Sequence, residues 1–256
     1  MNTILSPRRD FIAGVATILP KAPLRADAER LTLFWQWLLP LLIATLLMIW
    51  LEKFSGNQWI ADALYRLGGG QWRWREHPIT SQWIHPGGKY LSLVIWFFVL
   101  VAWWKSRGSS SRAVQHAAFG RLLLATVIAT LVIALLKSSI ALDCPWDLQR
   151  YGGAHPHFGL FSAHPGGFKA AGCFPAGHAS AGYCWVAAWF TALTLRPRLR
   201  WWLLAAALAL GLLFGISQQL RGAHFASHDV ASLLICWLCG LGLHFWSLYR
   251  SRGRVA

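Results

Sequence analysis

Charge is scarce in this chain. Only 13% of its 256 residues are Asp, Glu, Lys or Arg, against 56% apolar. A soluble domain of this size would lack the polar cover its surface requires. Acids are scarcest of all: nine Asp and Glu stand against 24 Lys and Arg, for a net charge of +15. Internal repeats and low-complexity tracts are also missing, so one compact bundle is expected rather than an array. What the chain has instead is apolar runs of about 20 residues, the length that crosses roughly 30 Å of hydrocarbon. They lie near Leu31–Leu51, Tyr90–Trp104, Ala117–Leu136, His178–Leu195, Trp201–Ser217 and Val230–Tyr249, the second short and the fourth polar at its start. Many of the 17 tryptophans sit at their ends (Trp35, Trp37, Trp50, Trp103, Trp104, Trp201, Trp202), as in the aromatic belts at headgroup depth. An all-α membrane protein of about six transmembrane helices is predicted.

In a soluble protein such a basic excess would suggest nucleic acid. Here its distribution reads as topology, and no nucleic-acid partner is expected. Arg8, Arg9, Lys21, Arg25 and Arg30 precede the first run; Lys105, Arg107, Arg112 and Arg121 follow the second; Arg196, Arg198 and Arg200 follow the fourth; Arg250, Arg252 and Arg254 form the tail. The only acids among these segments are Asp10, Asp27 and Glu29. The positive-inside rule makes them cytoplasmic. Both termini are then inside, which agrees with an even number of spans. The expected organisation is a cytoplasmic segment 1–30, a membrane domain 31–249 and a basic cytoplasmic tail 250–256. Within the domain, 52–89 and 137–177 face outward, into the periplasm if the membrane is a bacterial inner membrane. The Arg pair in Ser6–Gly14 superficially resembles an export signal, but its apolar part is brief and broken by Pro20 and Lys21. Asn57–Leu67 places Trp59, Ile60, Ala63, Leu64 and Leu67 on one helical face, the pattern of a helix lying in the headgroup plane. The Gly68–Lys89 stretch, with Trp72, Trp74, Trp83 and several cations, reads as a surface for anionic headgroups or as a packing lid.

Three polar clusters interrupt the apolar chain: Lys137 with the residues that follow it, Cys173–Ser180, and Ser217–Asp229. The topology, which uses none of these residues, puts all three on the outer side. Phosphate chemistry gives them a joint purpose. Pro-Ala-Gly-His at a helix start offers unpaired N–H groups and the positive dipole end, and Lys137 adds a full charge. One imidazole can attack phosphorus while a second donates a proton to the departing oxygen; His224 and His178 supply both. His228 and Asp229, a turn beyond His224, can hold the attacking ring in its tautomer.

These residues resemble the type 2 phosphatidic acid phosphatase superfamily. Its pattern runs Lys, six residues, Arg-Pro; then Pro-Ser-Gly-His; then Ser-Arg, five residues, His, three residues, Asp. Here the blocks read Lys137 to Cys144-Pro145; Pro175-Ala176-Gly177-His178; and Ser217-Gln218 to His224 and on to His228. The resemblance implies a metal-independent phosphatase or phosphotransferase without cofactors, with His224 as nucleophile, His178 as general acid, and Lys137, Gly177 and Ser217 holding phosphate oxygens. Cys144, Ala176, Gln218 and His228 depart from the pattern, and both family arginines are absent. An Arg fork is the natural bidentate partner of phosphate. Arg221, three residues beyond Gln218, and Arg150 and Lys169 in the outer loop are the candidate replacements. His228 stands at the family's Asp position. Asp229 lies one residue late, about 100° round a helix of 3.6 residues per turn.

Cys144 and Cys173 both face an oxidising compartment in this topology, while Cys184, Cys236 and Cys239 fall inside spans, so a Cys144–Cys173 disulfide is expected. His155, His157 and His164 lack the spacing of a metal framework, and no metal is assigned. The expected substrates are lipid phosphates of the outer leaflet: a phospholipid such as phosphatidylglycerol phosphate, a polyprenyl phosphate or diphosphate, or a lipid A phosphate. A non-catalytic lipid-binding or transport protein on the same bundle is the alternative.

Overall fold

The computed structural model describes residues 34–160, 162 and 172–252. The expectations for residues 1–30, for Arg254 in the tail, and for His164 and Lys169 lie outside them. The chain divides after Pro40. Of the first unit, the described part is a π-helical turn, Phe34–Leu38, and the start of α1 (Leu39–Lys53). The second unit, from Leu41, holds the bundle. It contains α2 (Gly56–Leu67), α3 (His85–Lys105) led in by a π-helical turn Ile79–Ile84, α4 (Ala113–Ser139), α5 (Gly177–Tyr183), α6 (Ala187–Leu195), α7 (Arg200–Leu220) and α8 (Ala226–Arg252). No strand forms among the described residues; Leu148 and His155 share a single parallel bridge.

Among the described residues, five helical stretches are long and apolar enough to cross a membrane: Phe34–Lys53, Ile79–Lys105, Ser110–Ser139, Pro197–Leu220 and Ala226–Arg250. The second is far longer than the apolar run Tyr90–Trp104. Its first turns carry Thr80, Ser81 and Gln82, which lower the hydropathy without ending the helix, because the Thr80 and Ser81 hydroxyls donate to the His77 carbonyl. The remaining expected span, His178–Leu195, is a composite: α5 and α6 are joined by a 3₁₀ turn, Cys184–Val186. Tyr183, Cys184, Trp185, Val186 and Ala187 along it are all buried.

Small residues set the packing. On α4 the buried positions Ala118, Leu122, Ala125, Thr126, Ala129 and Ile133 recur at three- and four-residue intervals, the single face of a 3.6-residue helix. Thr126 and Thr130 return their hydroxyls to carbonyls of their own helix, so neither leaves a donor exposed to lipid. Helices α5 and α7 cross at Gly182 and Gly211. A Cβ on Gly182 would run into the Gly211 backbone, and one on Gly211 into the Tyr183 ring. Close approach through small residues is how helices pack where lipid offers no hydrophobic drive. The core cluster around Ala129, Ile133, Ala179, Tyr183, Val186, Ala207 and Cys236 joins α4, α5, α7 and α8.

Helix α2 turns Asn57 and Ala61 toward the bundle. The apolar face seen in the sequence points the other way, with Trp59 and Leu67 both about two-thirds exposed. Beyond α2, the rings of Tyr65, Trp72 and Tyr151 meet at 5.2–5.3 Å. Trp72 also lies over Gly222, whose φ of +74° and lack of Cβ admit the indole at the turn between α7 and α8. Trp72 thus fixes the start of the strip after α2 against the turn between α7 and α8.

Candidate active site

The helix ends bring the three polar clusters together. Lys137, in the last turn of α4, runs its side chain past Gly177, the first residue of α5. Ala176 gives α5 no side-chain cap, and the N–H groups of its first turn have no earlier turn to bond. These donors, the positive helix end and the Lys137 ammonium therefore converge. A cavity of about 610 Å³ opens beside them, lined by Lys137, Gly177, His178, Ser180 and Gln218 on its polar side and by Ile84, Leu93, Ile133, Ala134 and Phe214 on its apolar side.

His224 sits in the turn between α7 and α8 and is 5% exposed. Its Nδ1 lies 3.3 Å from Nδ1 of His228, one turn into α8. The backbone of Cys173 lies close to both rings. Burial holds the His224 imidazole well below the usual histidine pKa, and the charges of His228, Lys137 and His178 push the same way. Neutral imidazole is the form that can attack phosphorus. His178 is near enough to His224 and to Lys137 to feel both electrostatically.

Asp229 turns away from His224. Its Oδ2 accepts from Gln219 Nε2 at 2.5 Å, and its carboxylate fills the space left by Gly215 on α7. The one-residue offset carries it to another face of α8, so His228 alone of the pair touches His224. Gln218, at a family arginine position, is buried, and its Oε1 accepts from Arg221 at 3.2 Å. That bond leaves the amide NH₂ as the group that can donate. Arg221 also donates through Nε to the Arg75 carbonyl at 2.9 Å. Ser217 is buried with its hydroxyl unpartnered. Arg150 is directed elsewhere: it forks Asp62 on α2 at 2.7 and 2.5 Å, and Tyr151 donates to the same carboxylate.

The disulfide between Cys144 and Cys173 is present, with Cα atoms 5.4 Å apart. It ties the segment after Lys137 to the segment before Gly177, where Cys173 N–H also donates to Leu142 O at 2.8 Å. One group of His, Cys, Asp or Glu among the described residues is close enough to surround an ion, Cys144, Asp147 and Cys173, and the disulfide consumes both of its sulfurs. His155 pairs with Asp143 at 2.9 Å, and His157 Nε2 lies 3.1 Å from Gln58 Nε2.

Two contributions were not foreseen from sequence. His85, at the start of α3, lays its ring on His178 with centroids 3.8 Å apart. Asn57 on α2 donates to Ser227 Oγ at 2.9 Å and accepts the Ser227 N–H at 3.1 Å, capping the first turn of α8 from outside. A lone His before an apolar run carries no spacing to read; the His-Pro-Gly-Gly-Lys punctuation at 85–89 was the available signal.

Residues 118–252 match the family model described as PAP2 superfamily. The match runs from α4 through α8 and includes every expected site residue from Lys137 to Asp229. No curated protein and no solved structure matches the chain significantly.

Proposed function

Because the chain belongs to the PAP2 superfamily, which generally comprises phosphatases of phosphate esters, we propose that this multi-pass membrane protein is a metal-independent lipid phosphatase or phosphotransferase. Its site faces the periplasm of a bacterial inner membrane, as the distribution of basic residues argues. The observation that carries the reading is that Lys137, the α5 N-terminus, His178 and Gln218 line one cavity, with His224 within electrostatic reach of Lys137 and His178. An apolar wall on the same cavity suits a lipid chain. Helix α2, with its apolar face turned outward, lies in the outer headgroup plane.

In this mechanism Lys137, the first N–H groups of α5, Ser217 and the Gln218 amide bind the phosphoryl oxygens. The His224 imidazole attacks phosphorus to form an N–P bond as the P–O bond to the lipid breaks, and His178 delivers its proton to the departing oxygen. Water, or an acceptor lipid, then takes the phosphoryl group from His224, with His178 receiving the acceptor's proton. His228 and the Cys173 carbonyl hold the His224 ring in place, the work a carboxylate does in the family pattern.

The test is phosphate release from a panel of lipid phosphates by purified protein in EDTA, comparing wild type with His224→Ala and His178→Ala. General acid catalysis alone contributes about 10²–10⁴-fold, so each variant should lose at least that much. Equal turnover by all three proteins, or none by any, would favour a lipid-binding or transport role.

A further inference from the structure

We propose that His85 and Lys89 of α3 form a second anion subsite next to the general acid, selecting lipid diphosphates over lipid monophosphates. The inference rests on the phosphatase reading above and adds to it the chemistry of the leaving group.

His85 and Lys89 are four residues apart and so share one face of α3. Both line the same cavity as Lys137, His178 and Gln218. Helix α3 is held against α7 at Gly88, where a Cβ would come within about 3.0 Å of the Phe214 ring, and that contact sits between the two residues in sequence. The His85 ring lies on the ring of His178 at 3.8 Å and 32°. His178 is the group that protonates the departing oxygen, so His85 and Lys89 stand beside whatever that oxygen is attached to. If it belongs to an alcohol, a cation there meets nothing charged. If it belongs to a second phosphate, the Lys89 ammonium and a His85 N–H meet an anion, and charge-assisted contacts of this kind are the strong ones. Arg221 is close enough to act electrostatically on His85 as well as on His178.

Helix α3 lies outside the 118–252 family match. Two arginines of the family pattern are absent from the matched part, where, among the described residues, Lys137 is the one ammonium that lines the cavity. His85 and Lys89 of α3 stand on the leaving-group side rather than around the transferred group. In the reaction so assigned, the bond between the bridging oxygen and the terminal phosphorus breaks and a His224 N–P bond forms. His178 protonates the bridging oxygen, which departs on a lipid monophosphate held by Lys89 and His85. Water then releases inorganic phosphate from His224.

The experiment compares farnesyl diphosphate with farnesyl monophosphate, which share a chain and differ in the second phosphate. The kcat/KM ratio of the two is measured for wild type, His85→Ala and Lys89→Ala, alongside binding of a farnesyl methylenebisphosphonate and a farnesyl phosphonate by calorimetry. Wild type should prefer the diphosphate and bind the bisphosphonate more tightly. Each variant should lose that selectivity by about tenfold or more, the value of one charge-assisted contact. Inorganic phosphate should compete equally with both substrates if the second anion is the substrate's own, and selectively against the diphosphate if the subsite takes free phosphate. An unchanged ratio in both variants, or equal losses on the two substrates, overturns the subsite and leaves the phosphatase reading standing. Absence of turnover on either substrate by wild type, with no preference between the two analogues, defeats both.

Discussion

In an apolar 18-residue segment of Ser110–Ser139, 33% of residues are buried within the protein; in the corresponding segment of Ile79–Lys105 the share is 6%. The first belongs to the family-matched part, whose glycine-mediated crossings and core cluster hold Lys137, His178, His224 and His228 in register. The second belongs to the preceding part, which packs on the bundle from outside: Gly88 on Phe214, His85 on His178, Ile95, Trp96 and Val99 on the core cluster, Ser92 accepting from Trp185 Nε1, and Asn57 on Ser227. The difference separates two tasks. The groups proposed to break the bond sit in the more deeply buried part, while α2 and α3 pack on it from outside and bring side chains to its rim.

The sharpest test of that division is at His228. Replacing it with Ala should lower kcat by about 10²–10⁴-fold, the scale set by losing the group that orients a catalytic imidazole. His228→Asp should recover at least about tenfold of that loss, whereas Asp229→Asn, facing Gln219, should change the rate little. Burial keeps His224 neutral below the usual histidine value of 6.5, so the acid limb of kcat/KM that reports the nucleophile should lie below pH 6.5. The same depressed pKa means that its contribution to stability is complete above pH 6.5 and is lost as pH falls below it.

Next in size is the disulfide, which closes a separation of 29 residues. The Cys144→Ser/Cys173→Ser pair should lower stability by about 3–4 kcal/mol on the loop-closure estimate, measured by thermal unfolding in detergent. Both thiols reacting with an alkylating reagent in unreduced wild type would remove the disulfide from the account. At the helix crossing, Gly211→Ala forces a methyl group into the Tyr183 ring and should cost about 1–3 kcal/mol, as overpacking does. Gly242→Ala, with open space around it, should cost nothing measurable, and equal effects at the two sites would argue against the crossing. The smallest effect is expected in the peripheral part. Asp62→Asn breaks the fork with Arg150, but with the Arg150 side chain 54% exposed and that of Asp62 22% exposed the pair should be worth no more than about 1 kcal/mol. The Arg150 guanidinium and the Tyr151 hydroxyl hold the Asp62 carboxyl below its ordinary value. Its small contribution is therefore present above that value and fades as pH falls through the lowered one.

Much of the matched part was legible because its signals are local and periodic. Apolar runs marked the helices, and the spacings from Lys137 to Cys144 and from Ser217 to His228 survived four substitutions. The pairing of Cys144 with Cys173 followed from which cysteines were left outside the spans. What stayed hidden was the relation between distant elements. The sequence already set Asp229 about 100° round the helix from His228; what it could not show is that Asp229 would meet Gly215 and Gln219 there. Arg150 looked available because its partner, Asp62, is 88 residues away. His85 had only the His-Pro-Gly-Gly-Lys punctuation at 85–89 to mark it. Polar residues at the start of Ile79–Lys105 diluted the apolar signal, so a helix of 27 residues looked short.

The Asn57 cap carries a practical consequence. The fragment 118–252 looks self-contained by its family match, yet excising it would strip α8 of the side chain that satisfies Ser227 N–H and Oγ, one residue before His228. It would also remove the ring resting on His178. A minimal catalytic unit therefore has to begin no later than α2.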